Sequence, residues 1–234
     1  MKVLISVRDR EEADIALKAG VDILDIKEPM EGSLGAPSPQ AIKQVVDLAR
    51  NKVEVSAAIG DLDYKPNQAS LAALATASLG VDYIKLGMRG ISSLADGIAL
   101  VKQVKEALSF FNLKPKLVIA SYGDYVRAGT LSPKQVLKIA ETCEADFFML
   151  DTYIKDGKSL LSFTSLEQLK ERIAKSHGLG LKIALAGSLS LDDALKLKPL
   201  EPDVLGFRKA ACSGNRLDKL SLIKARELVE KLRS

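Results

Sequence analysis

The sequence predicts a single (β/α)8 barrel, the TIM-barrel fold, over residues 1–234, and three observations lead to this fold class. Short apolar runs recur along the chain, amphipathic segments of helical periodicity separate them, and no linker-like change of composition divides the sequence. Strands that are buried on both faces give continuous apolar runs, and the alternation of strands with helices indicates a parallel sheet with right-handed crossovers. Eight such units fit the usual size of this barrel, about 250 residues.

The predicted strands are the eight apolar runs. In chain order they are VLISV (3–7), ILDIK (23–27), VEVSAAI (53–59), YIKLG (83–87), LVIAS (117–121), FFMLD (147–151), KIALAG (182–187) and VLGFR (204–208). The clearest helical segments lie at residues 39–50, 94–108, 133–143 and 165–175, and several begin with the serine or proline that helix starts favour. A doubly wound open sheet is the rival fold, but no G-x-G-x-x-G motif follows the first strand.

The composition excludes several classes of partner. The 34 basic and 30 acidic residues give a net charge of +4 and are scattered without a basic block, so we expect no nucleic-acid partner. No apolar run approaches the ~20 residues of a membrane span, and the N-terminus becomes charged too early for a signal peptide. We therefore expect a cytoplasmic protein without a membrane partner. Cys143 and Cys212 lack metal-ligand spacing and are expected to be free thiols rather than a disulfide.

The chain has one histidine, His177, and this limits its chemistry. A lone histidine leaves no His–Cys zinc site, no H-E-x-x-H motif and little scope for a Ser-His-Asp triad. We therefore expect no metal and no other cofactor, and we assign any acid–base catalysis to Lys, Asp, Glu or Tyr side chains.

Asp25 and Lys27 interrupt the second apolar run at its end, where the active sites of these barrels lie. Because they are two residues apart, they share one face of the strand, and Leu24 and Ile26 share the other. The apolar pair suits the face that packs under the helices. Asp25 and Lys27 are therefore expected to point into the barrel.

Other even-numbered strands repeat this pattern. Lys85 lies near the end of the fourth strand, Asp151 ends the sixth, and Lys155 follows in the next loop. Each has a simpler explanation: a lysine at a strand end can extend its amine to solvent, and an aspartate can cap the following helix. Residues of even-numbered strands share layers of a barrel interior, so we expect these side chains to converge with Asp25 and Lys27 on one catalytic site.

A buried lysine near other cations can act as a nucleophile. An ordinary lysine has a pKa of about 10.4, but burial and a second ammonium group nearby both lower it. The neutral amine adds to an aldehyde or ketone, and the resulting iminium withdraws electrons and acidifies the adjacent carbon. Lys27 with Lys85 beside it fits this role, and Asp25 fits one of orienting the amine or moving protons.

The loops after the last two strands predict a phosphate site. Gly187 and Ser188 follow the seventh strand, and Gly206 and Arg208 end the eighth. Barrels of this class often bind phosphate there through backbone N–H groups, and an arginine can add a charge-assisted hydrogen bond. Turn glycines beside a surface arginine are the simpler alternative. The MEGSLGAPS segment (30–38) is a further N–H-rich loop that could cover a ligand or bind a second anion.

The sequence also resembles the (5-formylfuran-3-yl)methyl phosphate synthase family, also called 4-(hydroxymethyl)-2-furancarboxaldehyde-phosphate synthases, of methanofuran biosynthesis. The resemblance covers nearly the whole chain. The motifs that carry it are DIKEPMEGSLGA (25–36), VSAAIGD (55–61), DYIKLG (82–87), MLDTYIKDGKSL (149–160), ALAGS (184–188) and RKAAC (208–212).

The resemblance implies a (β/α)8 barrel that condenses two molecules of glyceraldehyde 3-phosphate into a furan aldehyde phosphate, with loss of phosphate and water. The Schiff-base lysine of the family matches Lys27 and its proton-transfer lysine matches Lys85. Its supporting charged residues match Asp25, Asp151 and Lys155. The triose and the furan come from the resemblance alone.

Other functions stay open at this point. The site suits another Schiff-base aldolase or phosphosugar lyase, a metal-dependent phosphosugar lyase or isomerase, and a non-catalytic barrel that binds a phosphorylated metabolite. The sequence also leaves open whether the chain forms a homo-oligomer.

Overall fold

Eight parallel strands close into a barrel in which each strand pairs with the next along the chain and the last pairs with the first. The computed structural model describes residues 1–234. The strands are β1 (Lys2–Val7), β2 (Ile23–Ile26), β3 (Glu54–Ala58), β4 (Tyr83–Gly87), β5 (Lys116–Tyr122), β6 (Phe147–Asp151), β7 (Lys182–Leu185) and β8 (Val204–Phe207). This arrangement confirms the predicted fold class and all eight predicted strands. Lys27, Gly187 and Arg208 lie just beyond the strand ends rather than within them.

Helices surround the barrel. They are α1 (Arg10–Ala19), α2 (Pro39–Ala49), α3 (Pro66–Ser78), α4 (Leu94–Phe110), α5 (Tyr125–Ala128), α6 (Pro133–Thr142), α7 (Leu166–Gly178), α8 (Leu191–Leu197) and α9 (Leu222–Arg233), with 3-10 turns at Pro29–Glu31, Leu160–Ser162, Lys198–Leu200 and Lys209–Ala211. Serine side chains cap several helix starts, and in α6 Ser132 and Gln135 form a reciprocal capping box. Among these helices, none combines the length and the apolar character needed to cross a membrane.

The apolar core has two layers. The outer layer packs strands against helices and holds 57 buried residues, among them Leu24 and Ile26. The inner layer fills the barrel with 12 buried residues, for example Phe147 and Met149. Because side chains alternate along a strand, Asp25 points inward while its neighbours face the helices, as the sequence predicted. The barrel is therefore a packed core with a polar mouth above it.

Charged side chains also close the opposite end of the barrel. The carboxylate of Glu54 binds the amines of Lys2 and Lys116 and accepts a hydrogen bond of 2.8 Å from the Tyr83 hydroxyl. Burial by itself would raise the pKa of Glu54, but these hydrogen bonds outweigh it and lower the pKa to about 2. These groups lie at the amino ends of their strands, so their role is structural. Cys143 and Cys212 are both buried free thiols, as expected.

Candidate active site

A cavity of about 140 Å³ opens at the carboxyl ends of the strands. Of the nine residues that the sequence nominated for catalysis or phosphate binding, eight line this cavity: Asp25, Lys27, Asp151, Lys155, Gly187, Ser188, Gly206 and Arg208. The ninth, Lys85, lies below this cavity, and its amine contacts the carboxylate of Asp25. The structure therefore brings residues from β2, β4, β6, β7 and β8 together at one mouth.

Lys85 and Asp25 form a buried ion pair at the floor of the site. The Lys85 Nζ lies 2.6 Å from the Asp25 carboxylate, and both side chains are almost wholly buried. The Ser6 hydroxyl donates a further hydrogen bond of 2.9 Å to Asp25, because the β1–β2 register sets these two residues side by side. Lys85 thus does not extend to solvent. Its amine is held in direct contact with the Asp25 carboxylate beneath the cavity.

Asp151 and Lys155 form a second pair at the end of β6. The Lys155 Nζ lies 2.7 Å from the Asp151 carboxylate, which also accepts the N–H of Thr152 at 2.7 Å. Burial alone would raise the pKa of Asp151, but the Lys155 and Lys27 cations and these two hydrogen bonds lower it to about 2. The helix that follows, α7, is capped by Ser165 instead. Asp151 is therefore an anionic residue of the cavity and not a helix cap.

Three lysines, Lys27, Lys85 and Lys155, belong to the site. Lys27 is the only one of them whose amine has no carboxylate oxygen within 4.0 Å. Its Nζ donates a single hydrogen bond within the protein, a long one of 3.3 Å to the carbonyl of Ser33. Burial lowers the pKa of Lys27 to about 7; the Lys85 and Lys155 cations also lower it, against the opposing influence of Asp151 and Asp25. A large share of the molecules thus carries a free amine at neutral pH.

The loop between β2 and α2 covers Lys27 and is held by two residues that sequence reasoning missed. The carboxylate of Asp61 accepts the backbone N–H groups of Ser33 (2.8 Å) and Leu34 (3.1 Å), and it also accepts the hydroxyl of Tyr122 at 2.9 Å. Gly32 has a φ of +126°, and a Cβ there would lie 2.3 Å from the Asp61 carboxylate, so only glycine fits. Asp61 is the last residue of the VSAAIGD motif (55–61), and this motif is the feature of the sequence that could have pointed to it.

The segment after β7 has the features of an anion site. The N–H groups of Gly187 and Ser188 donate no hydrogen bond within the protein. Gly187 has a φ of +104°, and a Cβ there would lie 2.9 Å from the backbone nitrogen of Thr152. The backbone is thus held in a conformation that leaves two adjacent donors free at the cavity, which suits a phosphate group. Gly206 borders the same cavity from β8.

Arg208 has no free donor for a phosphate. Its guanidinium binds the buried Glu12 carboxylate through both terminal nitrogens, at 2.5 and 3.1 Å. The remaining donors bind the carbonyls of Ser6 (3.0 Å), Arg216 (2.9 Å) and Asp218 (3.1 Å). All five N–H groups of the guanidinium are thereby used. The sequence predicted a hydrogen bond from Arg208 to phosphate, and the structure instead ties this side chain to the protein.

Arg216 is a third residue that the sequence analysis missed. It lies in the loop between β8 and α9, lines the cavity, and is partly buried. Nothing in the local pattern of that loop distinguished it from the other surface arginines of the chain.

This arrangement can perform amine-based carbonyl chemistry on an anionic substrate. It has one buried amine without a carboxylate partner, two lysine–carboxylate pairs close to it, and a pair of free backbone donors. No three of the His, Cys, Asp and Glu side chains lie close enough together to hold a metal ion.

The chain matches known proteins over nearly its full length. Residues 3–232 match the sequence family described as 4-HFC-P synthase. The chain is 41% identical to "(5-formylfuran-3-yl)methyl phosphate synthase" of Methanosarcina barkeri, with 99% of this chain and 97% of that protein aligned. It is 42% identical to the protein of the same name from Methanocaldococcus jannaschii, with 100% of this chain and 98% of the other aligned.

Solved structures share the fold. Phosphoribosyl anthranilate isomerase from Thermus thermophilus superposes with a TM-score of 0.68 at 15% sequence identity, covering 100% of this chain and 98% of that one. Identity this low supports the barrel architecture alone. The matches in sequence are far closer and extend from end to end, and by them the chain belongs to the (5-formylfuran-3-yl)methyl phosphate synthase family of enzymes.

Proposed function

We propose that the protein condenses two molecules of glyceraldehyde 3-phosphate, through a Schiff base on Lys27, into 4-(hydroxymethyl)-2-furancarboxaldehyde phosphate. This compound is the (5-formylfuran-3-yl)methyl phosphate that the names of its relatives specify, and we place the reaction in methanofuran biosynthesis. The observation that carries the proposal is the environment of Lys27: a buried amine with a pKa of about 7 and no carboxylate partner. Such an amine is available to attack a carbonyl at neutral pH.

The first step is formation of an iminium. The Lys27 amine adds to the aldehyde of one triose phosphate, and loss of water leaves a cationic C=N bond. The iminium draws electrons from the adjacent C–H bond, so that a base can take the proton and leave an enamine. Lys85 is the base we assign. It can pass its ammonium proton to Asp25 over 2.6 Å and then accept the carbon-bound proton as a neutral amine.

The enamine expels the C3 phosphate of its own triose, which departs with the electron pair of its C–O bond. A proton moved from C2 to C1 converts the second triose phosphate into its ketose form, and C3 of the first triose, now the nucleophilic end of an enol, attacks that C2 carbonyl and forms the new C–C bond. The C1 hydroxyl of the second triose then closes the ring on the C2 carbonyl of the first, and loss of two molecules of water completes the furan. Asp151 and Lys155 are the proton carriers for these later steps, because their 2.7 Å pair lies on the same cavity as Lys27. Hydrolysis of the final imine returns the free amine.

The retained phosphate binds the backbone cradle, which we define as the free N–H groups of Gly187 and Ser188 with Gly206 beside them. Backbone N–H groups suit a phosphate dianion because they donate without carrying a charge that would need neutralising in the empty site.

The test is to incubate the purified protein with glyceraldehyde 3-phosphate and to record the ultraviolet absorbance of an aromatic aldehyde. Borohydride added during turnover should leave a mass adduct on the peptide that contains Lys27, and Lys27→Ala should abolish both the absorbance and the adduct. Lys158→Ala, which removes an exposed lysine of the neighbouring loop, serves as the matched control and should retain both.

Three results would overturn the proposal. Full activity in Lys27→Ala would remove the Schiff base, and loss of activity on chelation would favour a metal-dependent lyase. Saturable binding of the triose phosphate without any product would favour a non-catalytic barrel.

A further inference from the structure

Arg216 presents an unused guanidinium to the cavity. Its Nη2 donates one hydrogen bond of 2.9 Å to the carbonyl of Gly32, and this is the only hydrogen bond of its guanidinium within the protein. No carboxylate lies within 4.0 Å, in contrast to Arg208, which Glu12 neutralises. A partly buried arginine with four free N–H donors is a strong ligand for an anionic oxygen group.

Arg208 and Glu12 hold the loop that carries Arg216. The Arg208 Nε donates to the carbonyl of Arg216 itself at 2.9 Å, and its Nη2 donates to the carbonyl of Asp218 at 3.1 Å. Glu12, which is fully buried in α1, fixes the other edge of that guanidinium. Arg208 is therefore a positioning residue for this loop. The arginine that is free to contact a ligand is Arg216.

Arg216 and the backbone cradle lie on different sides of the cavity. The cradle follows β7, which is adjacent to β8 in the barrel, whereas Gly32 follows β2, which is separated from β8 by β1. Arg216 extends from the loop after β8 to contact Gly32, and so lies on the β2 side, where Lys27 is located.

The charge of the cavity lining is positive. Lys209 and Arg216 line it without a carboxylate within 4.0 Å, whereas Lys155 is paired with Asp151, Arg208 with Glu12, and Asp25 with Lys85. Such an excess of positive charge favours more than one anionic group in the same cavity.

We propose that Arg216 is the cationic residue of a second phosphate subsite, distinct from the backbone cradle, which binds the phosphate monoester that is eliminated during the condensation. The identity of the ligand rests on the proposed function, in which two phosphate groups enter and one leaves. The C–O bond to the departing phosphate breaks with its electron pair on oxygen, and the guanidinium stabilises that growing charge.

The first experiment uses inorganic phosphate as the probe and requires no turnover. Calorimetric titration of the wild-type protein should give two phosphate sites per chain, and Arg216→Gln should retain one. Arg216→Lys should keep both sites, with the second weakened by about 10-fold, because a lysine keeps the charge but loses the planar pair of donors. Arg226→Gln removes an exposed arginine on α9 and is the matched control that should retain both.

The second experiment separates phosphate binding from support of the loop. In Arg216→Gln, kcat/KM for glyceraldehyde 3-phosphate should fall about 10- to 100-fold, the loss expected for one charge-assisted interaction. Borohydride trapping of unphosphorylated glyceraldehyde on Lys27 should be unchanged. If Arg216 acted only by holding the carbonyl of Gly32, the reactions of glyceraldehyde 3-phosphate and of glyceraldehyde would slow by the same factor. That result would overturn the proposal.

Two phosphate sites that persist in Arg216→Gln, or a single site in the wild type, would also overturn it. These titrations do not depend on furan synthesis. If the wild type makes no furan and Arg216→Gln still loses one phosphate site, the proposed function is refuted and the subsite is supported. If furan synthesis is normal and Arg216→Gln binds phosphate as the wild type does, only the subsite is refuted.

Discussion

The ammonium of Lys85 lies 2.6 Å from the carboxylate of Asp25, and the two side chains are almost completely shielded from solvent. This pair neutralises one lysine at the floor of the barrel, and Asp151 neutralises Lys155 above it. Lys27 is left without a carboxylate partner as a result, and of the three lysines it is therefore the one we propose as the nucleophile.

Asp25→Asn should destabilise the protein and abolish synthesis. Removing one member of a buried ion pair leaves an uncompensated charge, which typically costs about 3–5 kcal/mol of folding free energy. Urea denaturation measures this loss. The double variant Asp25→Leu/Lys85→Met removes both charges and should recover most of the stability without recovering synthesis. An Asp25→Asn protein as stable as the wild type would show that the pair is not energetically coupled.

Lys27→Met should be inactive and more stable than the wild type. The pKa of Lys27 is about 7 in the folded protein and 10.5 in the unfolded chain, so the unfolded state binds more protons between these values. The resulting destabilisation amounts to as much as about 5 kcal/mol below pH 7 and vanishes as the pH rises towards 10.5. Urea denaturation of both proteins across this range should show a gain for Lys27→Met that shrinks with rising pH. Equal stabilities at pH 6 would contradict the lowered pKa.

The pH dependence of imine formation should report the charges around Lys27. The rate of reductive trapping with glyceraldehyde should increase as the pH rises through about 7, since only the neutral amine attacks the carbonyl. Asp151→Asn removes an anion that raises the pKa of Lys27 and should move the midpoint to lower pH. Lys155→Met removes a cation and should move it to higher pH. Shifts in the opposite directions would disprove this account of the site.

Asp61→Ala should loosen the loop over Lys27. Three hydrogen bonds to that carboxylate are lost, from Tyr122 and from the N–H groups of Ser33 and Leu34. Hydrogen exchange at those two amides should accelerate by about 10- to 100-fold, and kcat should fall because the Ser33 carbonyl no longer orients the amine.

Tyr122→Phe removes one of these hydrogen bonds and should give a smaller effect in the same direction. Burial and the Asp61 carboxylate raise the pKa of Tyr122 well above its usual range, so it stays a donor at every working pH. Tyr64→Phe, at an exposed tyrosine, is the control and should leave the exchange rates unaltered. Unaltered exchange in Asp61→Ala would show that other contacts hold the loop.

The barrel and most residues of the candidate site could be predicted from the sequence alone. Apolar runs marked the strands because strands covered on both faces exclude charge, and Asp25, Lys27, Lys85 and Asp151 were conspicuous because they break this rule. Parallel strands bring their carboxyl ends to one edge, so residues far apart in the chain could be placed together without knowing any distance.

The tertiary structure decided how these groups are paired. A hydrogen bond depends on the last few ångströms between side chains, and strand register and stagger set those distances, which no spacing along the chain encodes. For this reason only the folded chain shows that Asp25 pairs with Lys85 rather than with Lys27. The same holds for Arg208, whose donors are all used inside the protein, and for Arg216, which lies in the cavity.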